Sequence, residues 1–517
     1  MDDFSLSSTQ LIRTGFQQIN HALNDAQRLH RCLDAVASRY TCAWSVVDIL
    51  GYASNADNPD TAMRYVADIA EKLAEQKSDI STTFFTARSS EMSRLVALCG
   101  ASDGLGHFLS SQPSLVTEVF QAAEPQQSFD VDESASYIEQ VQDLRITYWK
   151  NLLHIAADDV ASDYPLDVQP VISQRLSALI DDTLRAALKI AQYKVPQAAE
   201  CRFAVFGMGK LGAQEINYVS DVDLVYLVDK TDDFHGDLTV VGTQIGSVLQ
   251  AVCSAVIPGV SVPALWEIDT ALRPEGKAGA LVRTVQSARI YYEKWAENWE
   301  FQALLKARFI AGDMQVGADF LDMITPLVWS ASARKNFVYD CRAMRTRVEE
   351  HIPLDHKDRE IKLGKGGLRD VEFTVQMLQL VHGRTDETLR TKDTLTSLKH
   401  LAQGGYINRQ QAENLSQDYR FLRVLEHRQQ LWKMKRTHLF PQISSAHEDI
   451  FTRTRHISER DIAENPDIVR LSRAVGLTAV QLVERFDAVR LQVRRLHMDI
   501  YYRPMLPHLS ALSEDDI

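Results

Sequence analysis

The chain has 517 residues, of which 45% are hydrophobic and 24% are charged, and its formal net charge is −13. This composition is typical of folded globular proteins and excludes disordered, collagen-like and disulfide-rich classes. The length exceeds what one compact core supports, so we expect about three domains. The negative net charge argues against sequence-independent nucleic-acid binding, which needs a positive surface.

The six cysteines are scattered, with no CxxC pair and no histidines at zinc spacing. Reduced thiols and a cytoplasmic location are therefore predicted. The N-terminal stretch MDDFSLSSTQLIRTGF lacks the apolar segment of an export signal, and no apolar run approaches the roughly 18 residues of a membrane helix. We predict neither export nor association with a membrane.

The first predicted unit in chain order is a helical region over residues 1–193. Stretches such as QVQDLRITYWKNLLHIAADDV repeat apolar residues at the three- and four-residue spacing of helices. From residue 194, short runs rich in Val, Phe and Tyr predict strands at RFAVF, DLVYLV and ALWEID. An amphipathic segment, LTVVGTQIGSVLQAVCSAVI, lies between the second and third strands.

Helical periodicity returns from about Arg289 and persists to the end of the chain. We predict a domain with a small mixed or antiparallel sheet over 194–335 and a helical bundle over 336–505. Residues 506–517 have the composition of a linker or a truncated end. The predicted fold class is α+β and predominantly α-helical.

Two aspartates, Asp221 and Asp223, stand at the head of the second predicted strand. Side chains two apart on a strand point the same way, so their carboxylates repel each other unless a cation lies between them. A shared Mg²⁺ or Mn²⁺ relieves this cost, whereas the alternative is a solvated turn.

A glycine-rich turn, GMGKLG, follows the first predicted strand and supplies Gly207, Gly209 and Lys210. Backbone N–H groups in such a turn approach an anion closely, and a lysine adds charge. The third predicted strand contributes Asp269, with Arg273 four residues later. Three carboxylates facing a glycine turn would make a two-metal phosphoryl or nucleotidyl transfer site.

The spacing of these motifs is similar to that of DNA polymerase β-like nucleotidyltransferases. In that superfamily a Gly-Ser pair is followed, after ten residues, by Asp-x-Asp. Here Gly209 and Lys210 precede a ten-residue gap and then Asp221 and Asp223. Lys210 departs from the pattern because it stands where serine is usual.

Four blocks extend the resemblance to a narrower family. In order, GMGKLGAQEINYVSDVDLVYL, IDTALRPEGKAGALV, YYEKWAENWEFQALLKAR and IKLGKGGLRDVEFTVQMLQLVHG resemble the bifunctional glutamine synthetase adenylyltransferase/adenylyl-removing enzymes. The blocks span about Phe203 to Gly383. With one such domain, a start at Met1 and a preceding helical region, the chain resembles the amino-terminal, adenylyl-removing half. The resemblance implies a polymerase β-like nucleotidyltransferase domain flanked by helical bundles.

The activity implied by the resemblance is phosphorolysis. Orthophosphate would remove AMP from a tyrosine of adenylylated glutamine synthetase and release ADP. Asp221, Asp223 and Asp269 would hold Mg²⁺ or Mn²⁺, with Asp269 either a ligand or the base that orients the attacking phosphate. The candidate phosphate- and nucleotide-binding residues are Gly207, Gly209, Lys210, Ser220, Arg273, Lys306, Arg308 and Glu372.

Two groups of these candidates have a simpler alternative interpretation. Lys306 and Arg308, in the helix predicted at WEFQALLKAR, are either anion-binding or solvent-facing cations. Glu372 begins a polar row of a helix that follows the glycine pair of KLGKGGLRD, and this row faces either the active site or solvent. Lys362 and Arg369 beside that glycine pair suggest a second phosphate-binding site.

Two alternatives to phosphorolysis remain at this point. The same acids serve the reverse assignment, in which ATP adenylylates the tyrosine of glutamine synthetase. A non-catalytic module that senses a nucleotide, or docks glutamine synthetase and a PII-type signalling protein, is the second alternative.

Overall fold

A computed structural model describes residues 7–121, 129–232, 234–443, 450–451 and 458–502. These residues form a predominantly helical protein with one small mixed sheet, which confirms the predicted α+β class. The predicted boundaries at 193/194 and 335/336 stay predictions, and the predicted end segment 506–517 lies outside the described residues. None of the described helices is both long enough and apolar enough to cross a membrane.

The described residues of the N-terminal region, 7–121 and 129–194, contain ten α-helices. Serine residues begin five of them by accepting a hydrogen bond from the first turn, at Ser7, Ser45, Ser78, Ser102 and Ser136. The helices are α1 Ser8–Arg13, α2 Ile19–Val36, α3 Val46–Asn55, α4 Pro59–Glu75, α5 Asp79–Phe85, α6 Ser89–Ala101, α7 Asp103–Ser111, α8 Val116–Phe120, α9 Tyr137–Val160 and α10 Pro165–Lys194.

The sheet has five strands, in the order β3-β2-β1-β5, with β4 also pairing with β2. Strand β1 is antiparallel to β2 and β5, whereas β2 is parallel to β3 and β4. The strands are β1 Cys201–Gly207, β2 Val222–Lys230, β3 Ile268–Asp269, β4 Val282–Arg283 and β5 Arg308–Gly312.

The two central strands are buried on both faces. Phe203 and Val205 of β1 pack into the core of the N-terminal helices, while Ala204 and Phe206 pack into a second core on the opposite face. Alternate residues of a strand point to opposite faces, so a run apolar at every position indicates a sheet covered on both sides. This explains why RFAVF and DLVYLV were recognisable in the sequence.

Helices cover the sheet and form the C-terminal bundle. Those around the sheet are α11 Gly209–Gly212, α12 Leu238–Ser254, α13 Val285–Lys294, α14 Asn298–Leu304 and α15 Met314–Ser330. Those that follow are α16 Phe337–Glu350, α17 Leu368–His382, α18 Thr394–Gln403, α19 Arg409–Lys433, α20 Glu459–Glu464, α21 Pro466–Arg473 and α22 Ala479–His497.

Helix α17 belongs to two cores. Leu368, Val371 and Val375 pack in the core of the C-terminal bundle. On another side of the same helix, Phe373 and Met377 pack in the core beneath the sheet. The bundle is therefore joined to the sheet through a shared helix.

Two expectations about secondary structure were wrong, one for a strand and one for a helix. The third strand is only Ile268–Asp269, much shorter than ALWEID. The helix predicted at WEFQALLKAR ends at Leu304, so neither Lys306 nor Arg308 is helical, and Arg308 begins β5. Strand β5 forms because RFIAG pairs with β1, a tertiary contact that overrides the helical periodicity around it.

A buried carboxyl in α19 predicts an unusual dependence of stability on pH. Asp418 is 7% exposed and its Oδ2 has no hydrogen-bond partner. Burial raises the pKa of Asp418 to about 7, against the opposing charge of Arg485. Because this pKa is raised above its unfolded value, the stability linked to Asp418 is lost as pH rises through 7.

Asp418→Asn should remove this loss. Between pH 5 and pH 8 the wild-type free energy of unfolding should fall by about 1–3 kcal/mol more than that of the variant. Urea denaturation at the two pH values measures the difference. If the free energy of unfolding changes equally between the two pH values in both proteins, the raised pKa of Asp418 is contradicted.

Candidate active site

The sheet brings the three predicted acids to one edge. Strands β2 and β3 run parallel with Asp223 and Asp269 as direct partners, and Asp221 immediately precedes β2. The Asp269 carboxylate accepts a hydrogen bond of 2.8 Å from the backbone N–H of Ala271. The predicted juxtaposition of a DxD pair with an acid from a neighbouring strand therefore exists.

Asp223 has the most unusual environment of the three acids. Its pKa is raised to about 6, chiefly by burial and also by the charges of Asp269 and Asp221, against the opposing charges of Lys362 and Arg369. Among the described residues, the Asp223 carboxylate has no hydrogen-bond donor and no ion-pair partner at contact distance. A partly buried carboxylate in this condition is suited to binding a cation.

The glycine turn packs directly against this carboxylate. The backbone N–H of Met208 donates a 2.9 Å hydrogen bond to the backbone oxygen of Asp223. Gly209 has a left-handed φ of +51°, and a Cβ there would lie 2.6 Å from Asp223 Oδ2. Position 209 therefore requires glycine for both its backbone conformation and its contact.

Gly209→Ala should damage the site more than the fold. The left-handed φ costs about 1–2 kcal/mol, while the added methyl displaces Asp223 and should lower activity about 100-fold. Gly405→Ala is a matched control, because Gly405 has φ +76° with nothing within 4 Å of a Cβ. Equal activity losses in the two variants, measured beside their unfolding curves, would contradict this account.

Lys210, which was predicted to add positive charge to an anion at the turn, is paired inside the protein. Its Nζ donates to Glu426 Oε1 and Oε2 at 2.9 and 2.8 Å and to Asn217 Oδ1 at 3.0 Å. Burial alone would raise the pKa of Glu426, but Lys210 and Arg423 hold it well below its usual range. In this structure the lysine fixes the glycine turn to helix α19 instead of adding charge to an anion.

Lys306 and Arg308 also hold the turn in place. Lys306 lies 3.1 Å from Glu215 of the segment that follows the turn. Arg308 makes two hydrogen bonds of 2.7 and 3.0 Å to Asp181 of α10, and donates to the backbone oxygen of Leu211 at 2.9 Å. These cations are neutralised by internal acids, which differs from the anion-binding expectation.

Arg273 and Ser220 make mainly local contacts. The Arg273 guanidinium donates to the backbone oxygens of Thr270, Lys277 and Gly279, and so closes the loop after β3. Ser220 donates to the backbone oxygen of Asp221 at 3.0 Å. The remaining glycine candidate, Gly207, is the last residue of β1.

The polar row on α17 is buried, and its partners are inside the protein. Glu372 pairs with Arg369 at 3.0 Å, and its Oε1 is buried without a partner. Gln376 accepts from Gln302, and Gln379 donates to backbone oxygens and to a serine of the segment that follows. Solvation was therefore the wrong alternative for this row.

The C-terminal bundle places further cations beside the acids. Lys362 and Arg369 lower the pKa of Asp223 through their charge. Arg436, in the segment after α19, forms an ion pair with Asp221. Lys362 and Arg369 were noted from the sequence, whereas Arg436 was missed, although it lies in the basic run KMKR.

Sequence reasoning also missed the buried network of α19. Arg423, Glu426 and Gln430 are buried; Glu426 accepts a hydrogen bond from Lys210 of the glycine turn, and the other two hydrogen-bond to the segment after it. The available signal was polar residues recurring at three- and four-residue spacing on one helix. His427 of the same helix is buried as well.

The acids fit a hard divalent cation by their chemistry. Carboxylate oxygens are the ligands that Mg²⁺ and Mn²⁺ prefer, and Asp223 lacks any other partner at contact distance among the described residues. Within the same residues, no group of three or more Asp, Glu, His or Cys side chains lies close enough to hold a metal ion. Asp221 is instead engaged by Arg436.

Two protein-family models match parts of this chain. Residues 92–323 match the glutamate-ammonia ligase adenylyltransferase family. This range contains the glycine turn and all three acids. Residues 342–498 match a second family model, described as PII-uridylyltransferase.

Curated relatives match over almost the whole chain. Proteins named bifunctional glutamine synthetase adenylyltransferase/adenylyl-removing enzyme are similar in Bifidobacterium longum subsp. infantis, with 47% identity over 99% of this chain and 49% of the relative. In Cutibacterium acnes the identity is 37%, over 100% of this chain and 51% of the relative. The chain thus spans about half the length of these relatives, which are adenylyltransferases by name.

Proposed function

We propose that the chain removes AMP from the adenylylated tyrosine of glutamine synthetase by metal-dependent phosphorolysis. The observation that carries the proposal is that Asp223 and Asp269 are partners on neighbouring strands, with Asp221 two residues before Asp223, beside a turn in which position 209 requires glycine. The names of the similar proteins support glutamine synthetase as the substrate. The sequence resemblance supports the direction of the reaction.

The three acids, the glycine turn and Lys362 each have a role in the proposed reaction. Asp221, Asp223 and Asp269 would hold Mg²⁺ or Mn²⁺, which when bound supplies Lewis-acid polarisation of phosphate oxygens. The turn at Gly209 holds the Asp223 carboxylate in place. Lys362 supplies positive charge that attracts the phosphate groups of the substrates.

The bond changes are those of an in-line transfer of the adenylyl group from tyrosine to orthophosphate. An oxygen of orthophosphate attacks the adenylyl phosphorus, and the bond from phosphorus to the tyrosine oxygen breaks. The tyrosine oxygen leaves and takes up a proton, so the products are ADP and tyrosine. Lys362 is well placed by its charge to offset the additional negative charge of two phosphate groups at one site.

The test is to incubate the chain with adenylylated glutamine synthetase, Mg²⁺ and orthophosphate and to measure ADP. Release of ADP with loss of the adenylyl group is the expected result. A parallel reaction with ATP and unmodified synthetase measures the reverse assignment. Adenylylation there, with no ADP release in the first reaction, would replace the proposal with the alternative direction.

A folded chain that binds glutamine synthetase but supports neither reaction would favour the non-catalytic docking module. A PII-type signalling protein, the other candidate partner, can be added to both reactions to test for activation. If Asp223→Asn forms ADP at the wild-type rate, the metal-ligand role of Asp223 is wrong.

A further inference from the structure

Asp221 is engaged by a residue from a distant part of the chain. Arg436 forms the ion pair, 215 positions further along the sequence. The Arg436 side chain is 55% exposed and the Asp221 side chain is 24% exposed. An ion pair this exposed gives only about a fivefold preference at most. A divalent cation shared between neighbouring carboxylates would therefore displace Arg436 readily.

The backbone that carries Arg436 is fixed. The N–H of Ile361 donates a 2.7 Å hydrogen bond to the oxygen of His438, and Glu360 and Leu439 form an antiparallel bridge. Because the backbone is held on both sides of the bridge, an exchange of partner by Arg436 needs only a side-chain movement. Such movements of exposed side chains are fast.

The same bridge brings a second cation alongside. Lys362 follows Ile361 and acts on Asp223 by its charge. Arg369, the third cation near the acids, is already paired with Glu372 at 3.0 Å. Once a metal takes Asp221, the described residues offer Arg436 no other acidic partner at contact distance. The guanidinium then presents its fork of donors, which suits two oxygens of one phosphate.

We propose that Arg436 is a phosphate-binding residue of this site, held on Asp221 until a divalent cation takes that carboxylate. The inference rests on the proposed function and deepens it, because it adds a residue of the C-terminal bundle to those that bind the phosphate substrate. Metal binding frees Arg436 for phosphate, and phosphate binding frees Asp221 for metal. The two ligands should therefore bind cooperatively, each raising the affinity for the other by the same factor.

The experiment measures binding, so it does not depend on turnover. Mn²⁺ affinity is measured from the electron paramagnetic resonance signal of free Mn²⁺. Orthophosphate affinity for the Mn²⁺-loaded chain is measured from the broadening of its phosphorus NMR signal. In Arg436→Ala, Mn²⁺ without phosphate should bind about two- to fivefold more tightly, because its competitor is gone. Orthophosphate should bind about tenfold more weakly or worse, and Arg436→Lys should recover part of this loss.

Lys433→Ala is the matched control. Lys433 also extends from the end of α19 into an exposed ion pair, with Asp103, with exposures of 53% and 21%. Both affinities should stay at their wild-type values in this variant. If Arg436→Ala leaves either affinity unchanged, the inference is overturned. If Asp221→Asn leaves Mn²⁺ affinity unchanged, the metal site of the proposed function fails instead.

Discussion

Asp223→Asn should lower the proposed deadenylylation activity by about 1,000-fold while making the metal-free protein more stable. Loss of a metal ligand removes several kcal/mol of transition-state stabilisation, which corresponds to this factor. Burial raises the pKa of Asp223 to about 6, so the ionised group destabilises the folded state above that pH. The neutral amide removes this penalty, and the free energy of unfolding at pH 7.5 should rise by about 1–2 kcal/mol.

Asp229→Asn provides the control for this variant. Asp229 lies near the other end of the same strand and forms a partly exposed ion pair with Arg202 at 2.8 Å. Its replacement should change activity little and stability by about 0.5 kcal/mol at most. ADP release and urea denaturation are the two measurements. Wild-type activity in Asp223→Asn, or a loss of stability without metal, would contradict the assignment.

Glu426→Gln should destabilise the protein by about 3–5 kcal/mol, because it leaves two buried cations without their carboxylate. Glu426 is fully buried between Lys210 and Arg423, with contacts of 2.8 and 2.7 Å. The same change releases Lys210 from α19 and loosens the glycine turn. Activity per folded molecule should therefore fall as well.

Two further variants keep this prediction testable. Glu413→Gln changes an exposed residue of the same helix and should cost about 0.5 kcal/mol or less. Lys210→Met should cost less than Glu426→Gln, because Glu426 keeps its ion pair with Arg423. Urea denaturation gives the ranking, and circular dichroism shows whether each variant folds. A Glu426→Gln variant as stable as Glu413→Gln would contradict the role of the network.

The acids and the central strands could be predicted from the sequence because their signals are local. An apolar run identifies a strand covered on both faces, and alternation places Asp221 and Asp223 on one side of it. Gly209 stood in a recognisable turn, and its contact with Asp223 follows from the pairing of β1 and β2. Here the sequence neighbourhood and the spatial neighbourhood coincide.

The partners of the cations could not be predicted in this way. Lys210 and Glu426 are 216 positions apart, and nothing in the local pattern of either indicates the other. Lys306 and Arg308 looked helical because the segment before them is helical, but β1 recruits the next residues into a strand. A lysine or arginine near a phosphate motif is therefore ambiguous until the acids that surround it in the fold are known.

Helix α17 has a consequence for how such proteins can recombine. Phe373 and Met377 fill the core beneath the sheet, while Leu368 and Val371 fill the core of the bundle. A chimaera that joined residues 1–335 to an unrelated bundle would leave a cavity under the sheet. A recombination at this junction would therefore have to keep α17 together with the sheet. The segment that must be exchanged as one piece is longer than either of the two family matches alone.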